Sequence, residues 1–421
     1  RQSRRCFLMF KFKHVFFPAI ALCTLLLAGC QSSGAPAPYR AGDVASKAPQ
    51  QISTPLKPAQ SAASQKTFAP KSPVNVALLL PLSGASTAVG QSLLDAATLA
   101  MFDTGGNAIK LNPIDSGDTP KGAENALRQA LAEKNTVVLG PLFGAQVRAI
   151  APTARTANVP VISFSNDDSV AGEGVYTLGL MPDDQVTQVM RYAQRQGINA
   201  FGILAPNTPY GKKAVQAAQS NGTATIVAVE YYNESQISLE GAVQRLAIKA
   251  ATTPLSAGSA TAGNAFQALI IPAGGSQLKT IASLLESNSV VPANVRFLGT
   301  SLWQNAPALQ NPFLMGSVVA APSLKNKQAF EQKYRATFEN QPLAVGSLAY
   351  DATALAALLA NTEQGVTPES LSNPNGFTGV DGIFRFTPNG TAERGLAVFV
   401  LQSGQLVEVQ GAPRSFSGLM N

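Results

Sequence analysis

Four groups of residues in this chain have types and spacings that could do chemistry. Leu27-Ala28-Gly29-Cys30 sets a thiol directly behind small residues, a position for lipid attachment. Ser276-Gln277-Leu278-Lys279 has the Ser-x-x-Lys spacing in which a lysine sits beside a nucleophilic serine. Tyr210-Gly211-Lys212-Lys213 has the glycine and lysine that close a phosphate-cradling loop, and Asp183-Asp184 after Pro182 is an adjacent carboxylate pair suited to acid–base work.

Three of the four give way to plainer readings. The Ser-Asp-Asn and Lys-Thr-Gly partners of a Ser-x-x-Lys enzyme do not occur in the sequence, and Ser276 suits the cap of a helix. Pro206 stands where the first glycine of a phosphate loop belongs, and Lys213 where its Ser/Thr belongs. Asp183 and Asp184 fit the first turn of a helix, where acids complement the dipole. The only histidine is His14, and the only cysteines are Cys6, Cys23 and Cys30. From residue 31 on, neither a Ser-His-Asp or Cys-His nucleophile, a thiolate or imidazole zinc site, nor a disulfide can therefore be built. The chain is expected to be non-enzymatic, with no cofactor and no metal.

Cys30 keeps its chemistry. Lys11 and Lys13 precede an apolar run from Val15 to Leu27, too short for the ~20 residues that span a bilayer. A basic end, a short apolar core and small residues before cysteine form a bacterial lipoprotein signal over residues 1–29, with Met9 the expected natural start. Acyl chains on Cys30 would then anchor the protein through buried methylenes. Gln31 rather than Asp follows the cysteine, and resemblance to Gram-negative lipoproteins implies an outer-membrane location facing the periplasm.

Residues 30–73 read as a tether. From residue 31 they hold seven prolines, much Ala, Ser and Gln, and two aromatics, too little apolar surface to fold. Fully extended, the stretch reaches on the order of 130 Å. Charge follows the same division. Of 31 basic and 24 acidic residues, residues 1–29 hold five basic and no acidic ones. Residues 31–73 hold five more against one acid, so 21 face 23 from residue 74 on, a net charge of −2. A nearly neutral body does not suit nucleic acid.

From residue 74 short Val/Ile/Leu runs alternate with helical patterns. Val74–Leu80, Lys110–Ile114, Thr136–Leu139, Val159–Phe164 and Val175–Leu178 read as buried strands, as do Ala200–Leu204, Thr225–Val229, Ala268–Ile271 and Arg296–Leu298. Helices are expected over Pro120–Lys134, with Asp118 or Thr119 as cap, and over Gly211–Ser220, Ser238–Ala250 and Gln277–Glu286. Two more follow between Lys327 and Ala360, then terminal strands from 383 to 409 turning at Gln402-Ser403-Gly404-Gln405. The fold class is therefore α/β: two lobes, each a mostly parallel sheet with helices on both faces. The expected boundaries are 74–193 and 322–380 for lobe 1, and 194–321 and 381–410 for lobe 2. A low-complexity insertion at 251–265 interrupts lobe 2.

Leu78-Leu79-Leu80-Pro81-Leu82-Ser83-Gly84, with Gly90 and Asp95-Ala96-Ala97, resembles the type 1 periplasmic-binding fold of branched-chain amino-acid receptors. The resemblance continues through Leu139-Gly140-Pro141-Leu142, Val159-Pro160-Val161-Ile162-Ser163, Tyr210-Gly211, Tyr350-Asp351-Ala352 and Gly382-Ile383-Phe384-Arg385-Phe386 with Asn389-Gly390. The Leu-rich start, the lipobox and the Ser/Thr/Gly insertion look most like the lipoproteins that activate penicillin-binding proteins. That resemblance implies a peptidoglycan synthase as partner and activation as the function; the alternative is solute capture for an ABC transporter of amino acids or related small ligands. The helical-repeat domain of some activators has the tether in its place. The receptors' clamp for an amino acid's carboxylate and ammonium aligns with Gly144 or Ala145, Asp167, Gly274 and Ser301, so the resemblance implies a lost clamp: Asp167 would repel a ligand carboxylate, and Gly274 and Ser301 offer no charge to an ammonium.

Ser83, Ser163, Ser165, Asp167, Tyr210, Ser301 and Trp303 are the candidate cleft residues, on loops at strand ends. For the serines and Tyr210 two readings stay open, ligand contact or satisfaction of local backbone. For Trp303, the single tryptophan, the choice is packing or a cleft contact. Replacing the anchor gives the first prediction: Cys30→Ala blocks lipidation and leaves full-length precursor, read by mass and detergent partitioning. Mature-size protein in the detergent phase of that variant contradicts the lipoprotein reading.

Overall fold

A computed structural model describes residues 72–252, 265–304 and 307–416. The signal and nearly all of the tether lie outside the described residues, as does most of the 251–265 insertion.

The first half begins with β1 (Val74–Leu80), α1 (Thr87–Asp103), β2 (Ile109–Asp115), α2 (Pro120–Ala132), β3 (Val137–Leu139), α3 (Gly144–Thr156), β4 (Val161–Ser163) and β5 (Val175–Thr177). These strands form one parallel five-stranded sheet, ordered β2-β1-β3-β4-β5. The continuous apolar run of β1 follows from cover on both faces. Val76, Leu78 and Leu80 point to one core, while Ala77 and Leu79 point to the other, shared with Ala126, Leu127, Val147 and Ile150 of α2 and α3. Of the two candidate caps of α2, Thr119 is the cap: its Oγ1 accepts the Gly122 N–H at 3.1 Å, with Pro120 opening the helix.

The chain then runs through α4 (Pro182–Arg195), β6 (Ala200–Pro206), α5 (Pro209–Gln219), β7 (Thr225–Tyr232), α6 (Gln236–Thr252), β8 (Ala268–Ile271), α7 (Gly275–Ser287), β9 (Arg296–Gly299) and β10 (Val318–Ala321). After it come α8 (Leu324–Phe338), α9 (Gly346–Ala360), α10 (Pro368–Leu371), β11 (Phe377–Gly379), β12 (Gly382–Phe386), β13 (Ala392–Arg394), β14 (Ala397–Gln402) and β15 (Gln405–Gln410). The second sheet has seven strands, ordered β15-β14-β10-β9-β8-β6-β7, parallel except where β14 and β15 join antiparallel. Phe201, Ile203, Ile270 and Leu298 face α4 and α5, and Leu204, Leu269, Ile271 and Phe297 face α6 and α7. The hairpin turns at Ser403 and Gly404, both at positive φ, with Gln402 paired to Gln405.

Two of the expected lobe boundaries move. Helix α4, assigned to lobe 1 by the boundary at residue 193, packs on the second sheet through Val186, Val189, Met190 and Ala193. The first crossing is therefore near residues 178–181. The return to lobe 2, expected at 381, comes at Ala397. Residues 377–394 form a separate antiparallel sheet, β11-β12-β13, whose Phe377, Phe384 and Phe386 join the core of α1 and α9. Those phenylalanines give an alternating pattern, which reveals a strand but not which sheet it covers. The chain thus crosses between the halves near residues 178–181, 322–323 and 395–396, and after β15 it returns to the first half, where Phe416 packs on Ile383.

Candidate functional site

Ligands of open α/β sheets bind beyond the carboxyl ends of parallel strands, so the loops after β1, β2, β4, β6 and β9 form the candidate site. The loop after β1 is held by Asp115 at the end of β2 and Asp118 in the loop that follows. Asp115 Oδ1 accepts the N–H groups of Leu82 at 2.9 Å, Ser83 at 3.2 Å and Gly117 at 2.8 Å. Burial opposes ionisation of Asp115, but bonds from the Ser83 hydroxyl and these N–H groups outweigh it and hold the carboxyl below its ordinary range. Asp118 Oδ2 accepts from Ala85 at 2.7 Å and Ser86 at 3.3 Å. Gly84 has φ +86°, and a side chain there would collide with Asp118. Ser83 itself is exposed at this loop.

The serines after β4 turn inward. Ser163 is fully buried, donates to Pro141 O at 2.9 Å and accepts the Ser165 N–H at 3.0 Å. Ser165 Oγ accepts the Asp167 N–H at 3.0 Å. The cleft role considered for Ser163 is therefore corrected: this hydroxyl is spent on the backbone that shapes the loop. Asp167 stands over the first residue of α3. A Cβ on Gly144 would lie 2.7 Å from Asp167 Oδ2 and 3.0 Å from its Cβ, closer than side chains tolerate. Arg148 Nη2, at 3.2 Å, and the N–H and hydroxyl of Ser169, at 3.1 and 2.6 Å, fix the carboxylate there.

On the second half, Tyr210 lies in the first turn of α5, capped by Thr208. Burial pushes its phenol up to about 12, with Asp183 adding to the rise. Thr300 and Gln185 act in the other direction, though neither makes a well-directed hydrogen bond, and Tyr210 Oη, Thr300 Oγ1 and Asp183 Oδ1 are left without hydrogen-bond partners. The N–H of Ser301 donates to Gln185 Oε1 at 2.6 Å. A Cβ on Gly274 would lie 2.8 Å from Leu302 Cβ, so Leu302 covers that position. Trp303 is not a cleft residue: it is fully buried in the core beneath α7, its Nε1–H donates to Ile271 O at 3.2 Å, and a Cβ on Gly299 would stand 2.5 Å from its ring. Ser276 and Lys279 are exposed on α7, and Gly274, not Ser276, occupies the cap.

Sequence reasoning missed the residues at the crossings. Arg394 Nη2 donates to Leu178 O at 2.7 Å, and its backbone N–H donates to Asp184 Oδ2 at 2.9 Å. Its guanidinium lies 5.2 Å from the Phe384 ring centroid. Nearby, Asp351 Oδ1 accepts the Val380 N–H at 2.8 Å, and Ser347 donates to Asp381 Oδ2 at 2.7 Å. Asp351, Asp381 and Arg394 are all buried. Burial first, then the charge of Asp183, pushes Asp184 up to about 8 against the N–H of Arg394. Burial, and the neighbouring Asp381, likewise push Asp351 up, and Arg394 opposes them. The pair Asp183-Asp184 had a visible signal, its place after Pro182, but nothing in the sequence pointed to Arg394.

Comparison with known proteins agrees with this architecture. The profile of the periplasmic binding protein family matches residues 73–405. An uncharacterised protein of Rickettsia prowazekii is 22% identical over 176 residues, 41% of this chain and 47% of that protein. The penicillin-binding protein activator LpoA of Haemophilus ducreyi is 26% identical over 173 residues, 38% of this chain and 27% of that protein. The chain thus spans about half the length of the first relative and about a quarter of the second. A branched-chain amino acid ABC transporter periplasmic ligand-binding protein from Burkholderia xenovorans superposes with a TM-score of 0.65 at 14% identity, covering 81% of this chain and 96% of that one.

The raised carboxyls predict a pH dependence. Asp184 keeps its proton in the folded protein where the unfolded chain, with an ordinary value of about 3.9, has released it. Folding then takes up a proton, so stability falls as pH rises from about 4 through the folded value of about 8 and levels off above it. Asp184→Asn flattens this fall in melting temperature between those limits. A wild-type slope in the variant contradicts the assignment.

Proposed function

This chain belongs to the periplasmic binding protein family, and from that premise we propose that it is a lipid-anchored envelope protein that binds and activates a peptidoglycan synthase. What supports the reading is that the chain's own groups engage the positions aligned with the receptors' clamp. At Gly144, aligned with a clamp position, Asp167 lies against the start of α3. Leu302 covers Gly274 on the opposite wall. A free amino acid would have to displace an anchored carboxylate of its own charge and would meet no replacement ammonium ligand.

Similarity to the LpoA activators, over about a quarter of their length, favours a synthase as partner. In this reading Cys30 carries the lipid in the outer membrane, and residues 30–73 let the body reach across the periplasm toward a synthase. The second reading, solute capture for an ABC transporter, rests on the fold shared with ligand-binding proteins.

Two measurements separate them. Lipidated protein should retain a penicillin-binding protein from envelope membranes, and adding it to that purified synthase should raise glycan polymerisation several-fold; retention without any rate change contradicts activation. A receptor at a hundredfold excess of ligand over Kd is stabilised by about 2.7 kcal/mol. Millimolar standard amino acids should leave the melting temperature of this chain unchanged, and a saturable rise abolished by Tyr210→Ala would make solute capture the function.

A further inference from the structure

Lys213 is carried by α5, whose Ala214, Val215 and Ala218 pack on the seven-stranded sheet. Asp168 opens the short turn Asp168–Val170 after β4, and Val170 packs in the core of the first half with Val147 and Ile150. The Lys213 Nζ lies 2.6 Å from Asp168 Oδ2 and 3.9 Å from Asp183 Oδ2. Among the ion pairs of the described residues, Lys213–Asp168 is the one that joins the two halves.

Three features make this contact more than a surface ion pair. The side chains are only 25% and 33% exposed, so solvent screens them less than a freely exposed pair. The loop presenting Asp168 is rigid, because Asp167 beside it is tied to Arg148 and Ser169. Both partners emerge at the carboxyl ends of parallel strands, β4 on one half and β6 on the other, on the face where a bound solute would otherwise bridge the lobes. Burial opposes the charge on Lys213, but its bond to Asp168 and the charges of Asp168 and Asp183 keep the ammonium above its ordinary value.

We propose that the Lys213–Asp168 pair is a built-in latch that holds the two halves closed with no ligand between them. In a solute receptor, closure is favoured because the ligand contacts both lobes only in the closed state. Here a charge from each lobe makes that contact directly, away from the crossings, where the Arg394 N–H bonds Asp184 and Gln188 bonds Leu396 O. The latch is independent of which partner the protein serves, since it follows from contacts within the chain.

The test is a distance measurement by pulsed electron paramagnetic resonance on the full chain. Cys6, Cys23 and Cys30 are replaced by serine, and spin labels are placed at Ala132 on α2 and Gln219 on α5, both exposed. The latched protein gives one narrow distance distribution without ligand. Lys213→Met and, from the other lobe, Asp168→Asn should each broaden and lengthen it, with far-UV circular dichroism unchanged. Lys213→Arg, which keeps the charge, should restore the narrow distribution. A folded Lys213→Met protein with the wild-type distribution overturns the latch, as does Lys213→Arg opening as far as Lys213→Met. Should Lys213→Met fail to fold, Asp168→Asn decides by the same criterion.

Discussion

One residue ties together the junction between the two halves, through both its backbone and its side chain. Arg394 lies at the end of β13, just before the third crossing, and binds the Leu178 carbonyl at the first. Its own N–H reaches Asp184 on α4, in the other half. Gln188 of α4 adds a bond to Leu396 O at 3.3 Å. The guanidinium is buried, its one directed bond goes to the Leu178 carbonyl, and its charge acts on the buried Asp351 and Asp184. Burial first, and then the neighbouring carboxylates Asp183 and Asp381, raise Asp184 and Asp351 above their ordinary values.

Because the crossings fix where the halves meet, the loops at the strand ends face each other, and most of their polar groups are already engaged. Asp115 and Asp118 bind the loop after β1, Ser163 and Ser165 bind the loop after β4, and Asp167 is pinned over α3. These contacts leave a wall organised for shape rather than for gripping a charged solute. A family built to close on ligands can in this way supply a rigid two-lobed body, and a protein partner needs surface shape more than a cavity.

Much of the architecture was legible because buried parallel strands are apolar on consecutive residues, as in Val74–Leu80 and Ala268–Ile271, and such runs stand out between amphipathic helices. Strand pattern does not say which sheet a segment joins. Helix α4 and the β12–β13 hairpin were therefore assigned to the wrong half, since Val186 and Phe384 look equally apolar on either side. In the candidate site, hydroxyls were legible as loop residues but their direction was not: Ser163 turns to Pro141 O and Trp303 to Ile271 O, contacts 22 and 32 residues apart in the chain. Arg394 carried no signal because its partners, Leu178 and Asp184, are 216 and 210 residues away.

With Asp167 pinned over Gly144, Leu302 over Gly274 and Lys213 paired to Asp168, the loops between the halves are expected to hold no solute. Native mass spectrometry of the protein isolated from its own cells, without refolding, is the direct test. The expected spectrum carries no non-covalent mass that is lost when the protein is denatured. A stoichiometric small molecule retained in the native spectrum and released on denaturation would contradict it.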